Sequence, residues 1–107
     1  MVRKAWTRGD LLLALVAYLS LSIDQRAHPP KEFVAALASR LGRGIATTSL
    51  RLANYAARDP SMKLIGVKGM AGGGDHVDEI WTEFNSGDKT DFQKLLRVVV
   101  LECFPLN

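Results

Sequence analysis

LASRLGRGIATTSLRLANYAARDP, residues Leu37 to Pro60, is the stretch on which the fold turns. Its spacing predicts a helix ending on Leu41, a break at Gly42-Arg43-Gly44, and a second helix running to Arg58. Gly42 ends the first helix because glycine enters the left-handed conformation at low cost. Asp59-Pro60 ends the second, since a residue ahead of proline avoids helical backbone angles. Within that second helix Ala46, Leu50, Ala53 and Ala57 mark an inner face. Thr47, Arg51, Asn54 and Arg58 run along the opposite side, with Thr48 also expected to be exposed. Two short helices joined by a tight glycine turn are the outline of a helix-turn-helix, whose second helix enters the DNA major groove and sets residues near its start against base edges.

Upstream, Thr7 and Asp10 have capping-box spacing ahead of an apolar run, so a helix starts at Thr7 and turns Leu12, Leu15, Val16 and Leu19 toward the core. Trp6 stands one residue before the cap, where it can pack back on that helix. Arg3, Lys4 and Arg8 form a basic arm. Residues 22–27 are polar and read as a loop. Pro29-Pro30 then opens the helix that ends at Leu41. Phe33, Leu37 and Leu41 form its buried stripe, and Ala36 and Ala38 allow close approach.

Downstream, Leu64 to Met70 is the one stretch with β character, and Ala71 to Gly74 reads as a mobile loop. No Lys-Ser or Lys-Thr follows these glycines, so they do not form a phosphate loop. Asp75 can cap a further helix with Val77, Ile80, Trp81 and Phe84 on one face. Phe92, Leu95, Leu96, Val99 and Cys103 continue at helical spacing after the Asn85-Ser86-Gly87 turn, although the run 98–101 also suits a strand.

The chain has 107 residues, 48% of them hydrophobic and 23% charged. That is ordinary globular composition for one domain with one core. The expected fold class is mainly α, a helix-turn-helix or winged-helix-like domain of four to five helices with at most a short β element. It divides into a basic arm (1–6), a helical core holding the helix-turn-helix (7–60), a glycine-rich loop or wing (61–74) and C-terminal helices (75–104). The single cysteine, Cys103, forms no internal disulfide and fits a reducing compartment. The apolar run 11–21 is too short to span a bilayer and lacks a cleavage pattern behind it. A cytoplasmic protein is expected, with no membrane partner.

The net charge of +3 is unevenly spread. Residues 1–68 hold eleven Lys or Arg against four Asp or Glu, a net of +7, while residues 69–107 hold three against seven, a net of −4. A basic half carrying the helix-turn-helix suits a polyanion on one side of the molecule. Catalysis has little to build on. His28 and His76 lack Cys or His partners at metal-ligand spacing, and Asp75, Asp78 and Glu79 beside His76 are ordinary first-turn residues. Neither a metal, a cofactor nor an enzyme activity is expected.

The order Trp6-Thr7, His28-Pro29, Leu41-Gly42-Arg43, Leu52-Ala53-Asn54-Tyr55-Ala56, Asp59-Pro60, Gly66 with Gly69, and Ile80-Trp81 followed by Glu83-Phe84 resembles the amino-terminal domain of many bacterial HNH restriction endonucleases, those of the modification-dependent, McrA-like kind. The likeness spans roughly residues 6 to 85. It implies a winged-helix-like domain that binds DNA ahead of a nuclease. The chain carries no HNH region, so cleavage is not implied. Its turn has Gly44-Ile45-Ala46 where relatives usually place Thr or Ser and Pro.

The partner expected from these readings is double-stranded DNA, plain or modified, with a homodimer or a parent nuclease as further assemblies. The residues expected to meet it are Arg3, Lys4, Arg8, Arg40, Arg43, Thr47, Thr48, Arg51, Asn54, Arg58, Lys63 and Lys68. Arg51 is expected to project outward to phosphate or a guanine edge, and Arg43 to meet the DNA backbone. Asn54 has two readings: bidentate contact with an adenine edge, or, favoured here, bonds that hold the following loop. The alternative function is a protein-interaction or dimerisation module without nucleic-acid binding.

Overall fold

The two helices of the central stretch are present, and they are part of a wholly helical set among the described residues. The computed structural model describes residues 5–86, 92–94 and 96–97. In chain order the helices are α1 (Arg8–Ser20), α2 (Ile23–Ala27), α3 (Lys31–Leu41), α4 (Ile45–Ala56), α5 (Pro60–Leu64) and α6 (Gly74–Ser86). Residues 92–94 and 96–97 are also helical, and no strand occurs among the described residues. The fold is mainly helical, as the sequence leads one to expect, but the described residues form more helices than the four to five expected, because the short α2 and α5 are added. Arg3, Lys4, the 98–101 run and Cys103 lie outside the described residues.

Thr7 and Asp10 close the expected capping box on α1: the Thr7 hydroxyl accepts from the Asp10 amide at 3.1 Å, and the Asp10 carboxylate accepts from the Thr7 amide at 3.2 Å. Ser22 and Gln25 make a second box, so residues 22–27 form α2 instead of the expected loop. Pro30 is the N-cap of α3. Gly42 stands at φ 68°, ψ 37° at its end, and the Arg43 amide donates back to the Ala38 carbonyl at 2.9 Å. That return bond satisfies a carbonyl the helix would otherwise leave open.

α1 is the central rod. It packs against α3, α4 and α6, and Leu11, Leu12 and every residue from Ala14 to Tyr18 are buried. The apolar stripe expected on one side is therefore a nearly full circumference. Leu15, Leu37, Leu52, Tyr55, Met62 and Val77 meet around it with essentially no exposed surface. Burying each of the aliphatic ones contributes about 1.5–3 kcal/mol before chain entropy is counted.

α4 is rotated relative to its expected setting. Thr48, Leu52, Tyr55 and Ala56 face the core, while Ala46 is exposed and Leu50 is 46% exposed. The larger apolar side chains, Leu52 and Tyr55, take the interior because they bury more surface than alanines. Tyr55 also satisfies its hydroxyl there, donating to the Leu11 carbonyl at 2.8 Å.

α4 ends at Ala56, a turn short of the expected stop at Asp59-Pro60, and that pair instead starts α5. The Asp59 carboxylate accepts from the Ser61 amide at 2.8 Å, and Pro60 occupies the first turn, where its missing N–H is harmless. The stretch 64–70 is not a strand. The Val67 amide donates to the Met62 carbonyl and the Met70 amide to the Ala53 carbonyl, so helix ends take the bonds a ladder would have supplied. In place of a wing, residues 65–73 form a glycine-rich strap along α4.

Candidate nucleic-acid interface

The α3–turn–α4 unit presents the start of α4 to solvent. Gly44 is its N-cap with no side-chain cap bond, and Ile45, Ala46 and Thr47 are all exposed. With the inward face taken by Thr48, Leu52, Tyr55 and Ala56, the outward face consists of Ile45, Ala46, Ser49 and Leu50, flanked by Thr47. It is small, partly apolar and hydroxyl-bearing. These four residues were not among the expected contacts.

The expected arginines are engaged within the molecule. Arg43 is the clearest correction. Its side chain is only 6% exposed, its Nη2 donates to Asp10 at 3.0 Å and to the Ala5 carbonyl at 2.7 Å, and its guanidinium lies 4.1 Å from the Trp6 ring centre. It fastens the entry of α1 to the turn, and a residue so enclosed is a strut before it is a backbone contact. Burial by itself would raise the Asp10 carboxyl, but the bonds from Arg43 and Thr7 outweigh it and hold Asp10 below the usual carboxylate range.

Arg58 is similarly committed. It donates to Asp78 at 2.6 Å, to the Asn54 carbonyl at 2.8 Å and to the Gly72 carbonyl at 2.9 Å. Thr48 is fully buried and returns its hydroxyl to the Gly44 carbonyl at 2.9 Å, so the exposed placement expected for it is overturned. Asn54 is 2% exposed and donates to the Met70 carbonyl at 2.8 Å, which is the loop-holding arrangement and leaves no route to a base edge.

Arg51 lies between these groups. It is half-buried over the Trp6 ring, 4.6 Å from its centre, and donates from Nη1 to Asn54 Oδ1 at 3.1 Å. Burial, joined by the charges of Arg43 and Arg58, pulls its guanidinium below the usual range. It does not stand out from the helix as the expected outward face would require. Arg8 is exposed but donates to Glu83 at 2.9 Å. Arg40, Thr47, Lys63 and Lys68 are exposed.

The glycine-rich strap is tied down rather than free, contrary to the expected mobile loop at Ala71 to Gly74. Asn54 and Arg58 hold the Met70 and Gly72 carbonyls. Gly73, at φ +86°, lies so close to α4 that a Cβ there would stand 2.6 Å from Arg51 Nη1 and 3.1 Å from Asn54 Oδ1. Only glycine permits that approach.

The signal for this wiring was Trp6. An aromatic just ahead of the capping box, in a chain with Arg43 and Arg51 near the turn, is a surface on which guanidinium groups stack. Among the described residues, no group of three His, Cys, Asp or Glu could hold a metal ion, and no helix is long and apolar enough to cross a membrane. Comparison with known proteins adds nothing to this geometry: no family model, no curated protein and no solved structure matches the chain.

Proposed function

We propose that the chain is a duplex DNA-binding module of the helix-turn-helix kind, with the glycine-rich strap in the position of a wing, and that it is related to the recognition domains of McrA-like restriction endonucleases. One observation carries the reading: α3 and α4 are joined by a three-residue glycine turn, and the start of α4 is exposed and free of a side-chain cap. A helix N-terminus with open amides accommodates backbone phosphate, and the residues just after it can enter the major groove.

The engagement of Arg43 and Arg58 changes how such a surface would read DNA. Ala46, Thr47, Ser49 and Leu50 offer methyl groups and hydroxyls. These suit the methyl group of thymine and hydroxyl contacts to base edges better than bidentate guanine recognition. Lys63 and Lys68 are exposed cations available for phosphate. The test is fluorescence anisotropy with plain and cytosine-modified duplexes at two salt concentrations. Affinity should fall at least tenfold as salt rises several-fold, since each phosphate contact releases counterions. Absence of duplex binding at low salt and micromolar protein would remove the proposal.

A second reading is favoured by the apolar character of the same face. Ile45 is 57% and Leu50 46% exposed. Self-association of two copies through α4 would cover both. It would persist in high salt, where phosphate binding fades, and sedimentation velocity separates the two.

A further inference from the structure

Four arginines of the described residues each face a carboxylate: Arg8 with Glu83, Arg26 with Asp59, Arg43 with Asp10 and Arg58 with Asp78. Arg51 differs. Among the described residues it pairs with no carboxylate, and its one hydrogen bond goes to the neutral Asn54 amide oxygen. The Tyr55 side chain below it favours its charge, but the two guanidinium groups near it, Arg43 and Arg58, are positive and oppose it. Its Nε is buried without a partner. Its Nη2 makes no hydrogen bond and is not among the buried unpartnered atoms, so it is the donor left open to solvent. A half-buried cation with positive neighbours and no counter-charge is unfavourable until an anion arrives.

The surroundings make room for that anion. Trp6 holds the flat guanidinium from one side. Exposed Gly73 lies against Nη1 and exposed Gly72, before it in the strap, lies by Asn54, and neither carries a side chain to obstruct an approach. Asn54 fixes the Nη1 end, so the orientation is set before any ligand binds.

We propose that Arg51, framed by Trp6 and the Gly72-Gly73 strap, is a preformed seat for one phosphate-type anion. The inference rests on the DNA reading for its natural occupant, a backbone phosphodiester. Of the two contacts the sequence suggests for Arg51, phosphate or a guanine edge, it selects phosphate, and it sets the side chain half-buried over Trp6 and not outward.

The test follows the Arg51 side-chain Nε–Hε signal by NMR, assigned by its loss in Arg51→Lys. The probes are inorganic phosphate and a short duplex, with chloride as the control at equal ionic strength. Phosphate should move the signal along a saturable curve that chloride does not reproduce, and the duplex should move it too. Arg51→Gln, checked for folding by circular dichroism, should weaken phosphate binding at least tenfold and lower the logarithmic salt slope of duplex binding by about 1. If Arg51→Gln does not fold, Arg51→Lys carries the affinity comparison, with weaker phosphate binding still expected because lysine cannot reproduce the fixed guanidinium fork.

A signal that moves equally with chloride, or with neither probe, overturns the seat. Duplex binding that leaves the signal unmoved overturns the seat and leaves the DNA reading standing. A phosphate-specific shift without duplex binding does the reverse.

Discussion

Tyr18 donates its hydroxyl to Asp59 Oδ2 at 2.6 Å across 41 residues of sequence, joining the last turn of α1 to the cap of α5. Arg26 completes the junction, donating to the same carboxylate oxygen at 3.3 Å and to the Leu19 and Leu21 carbonyls at 3.0 and 3.1 Å. Burial, aided by the neighbouring carboxylate, pushes the Tyr18 phenol well above the usual tyrosine range. Asp59 is thus cap, acceptor and counter-charge together.

Asp59→Ala should therefore cost about 3–5 kcal/mol, because it leaves Arg26 without its partner and Tyr18 without its acceptor inside the protein. Tyr18→Phe should cost roughly 1–2 kcal/mol, the range for losing one hydrogen bond while a polar partner stays buried. Urea denaturation of the two variants measures both. Equal, sub-kilocalorie effects would mean the junction contributes little.

Asp10 gives a pH-dependent version of the same argument. Its carboxyl is held below its ordinary value of 3.8 in the folded protein. A lowered carboxylate stabilises the fold above the unfolded value and loses that contribution as pH falls through the folded one. The wild type should lose stability as pH falls from about 5 toward 2, and Asp10→Asn should lose less over that window while starting about 1–2 kcal/mol lower at neutral pH. Arg43→Ala should also destabilise at neutral pH, since it removes the enclosed partner. Thermal melts at several pH values decide the point, and parallel curves for wild type and Asp10→Asn would contradict it.

The strap makes its own demand at Gly69. A Cβ there would stand 2.5 Å from the Ala57 amide nitrogen and 2.6 Å from the Ala53 carbonyl oxygen, both backbone atoms of the α4 end. The φ of +66° adds strain for any other residue. Gly69→Ala should cost about 2 kcal/mol or more and raise hydrogen exchange at the Met70 amide, which bonds to Ala53. Gly44→Ala is the control: nothing lies within 4 Å of its added Cβ, and its φ of −71° suits alanine. Similar losses in both variants would show that the strap is not pressed on α4.

What the sequence made legible was local grammar. Thr7 with Asp10, Pro30 ahead of α3, and Gly42 at its end each act within a few residues, so the α3–turn–α4 outline can be read directly. Ser22 with Gln25 has the same spacing as Thr7 with Asp10 and was equally available as a sign of α2. The face of α4 was ambiguous because two stripes share one period. Ala46, Leu50, Ala53 and Ala57 compete with Thr48, Leu52, Tyr55 and Ala56, and only side-chain volume favours the second set. The arginines could not be placed at all from spacing. Arg43 finds Asp10 across 33 residues and Arg58 finds Asp78 across 20, pairings that exist only once α1, α4 and α6 are packed.

The outward face of α4 permits one substitution that separates the two proposed functions. Leu50 is 46% exposed, so Leu50→Lys adds a cation without opening the core and should leave stability within about 0.5 kcal/mol. If α4 meets duplex DNA, the added charge should hold or raise affinity for all duplexes and steepen the salt dependence, while discrimination between sequences falls. If α4 meets a second copy of the chain, two lysines brought together at an apolar contact should abolish the dimer. Anisotropy on matched and scrambled duplexes and sedimentation velocity on the same samples read both outcomes. Unchanged discrimination together with unchanged association would show that the outward face of α4 is neither the DNA surface nor the dimer surface.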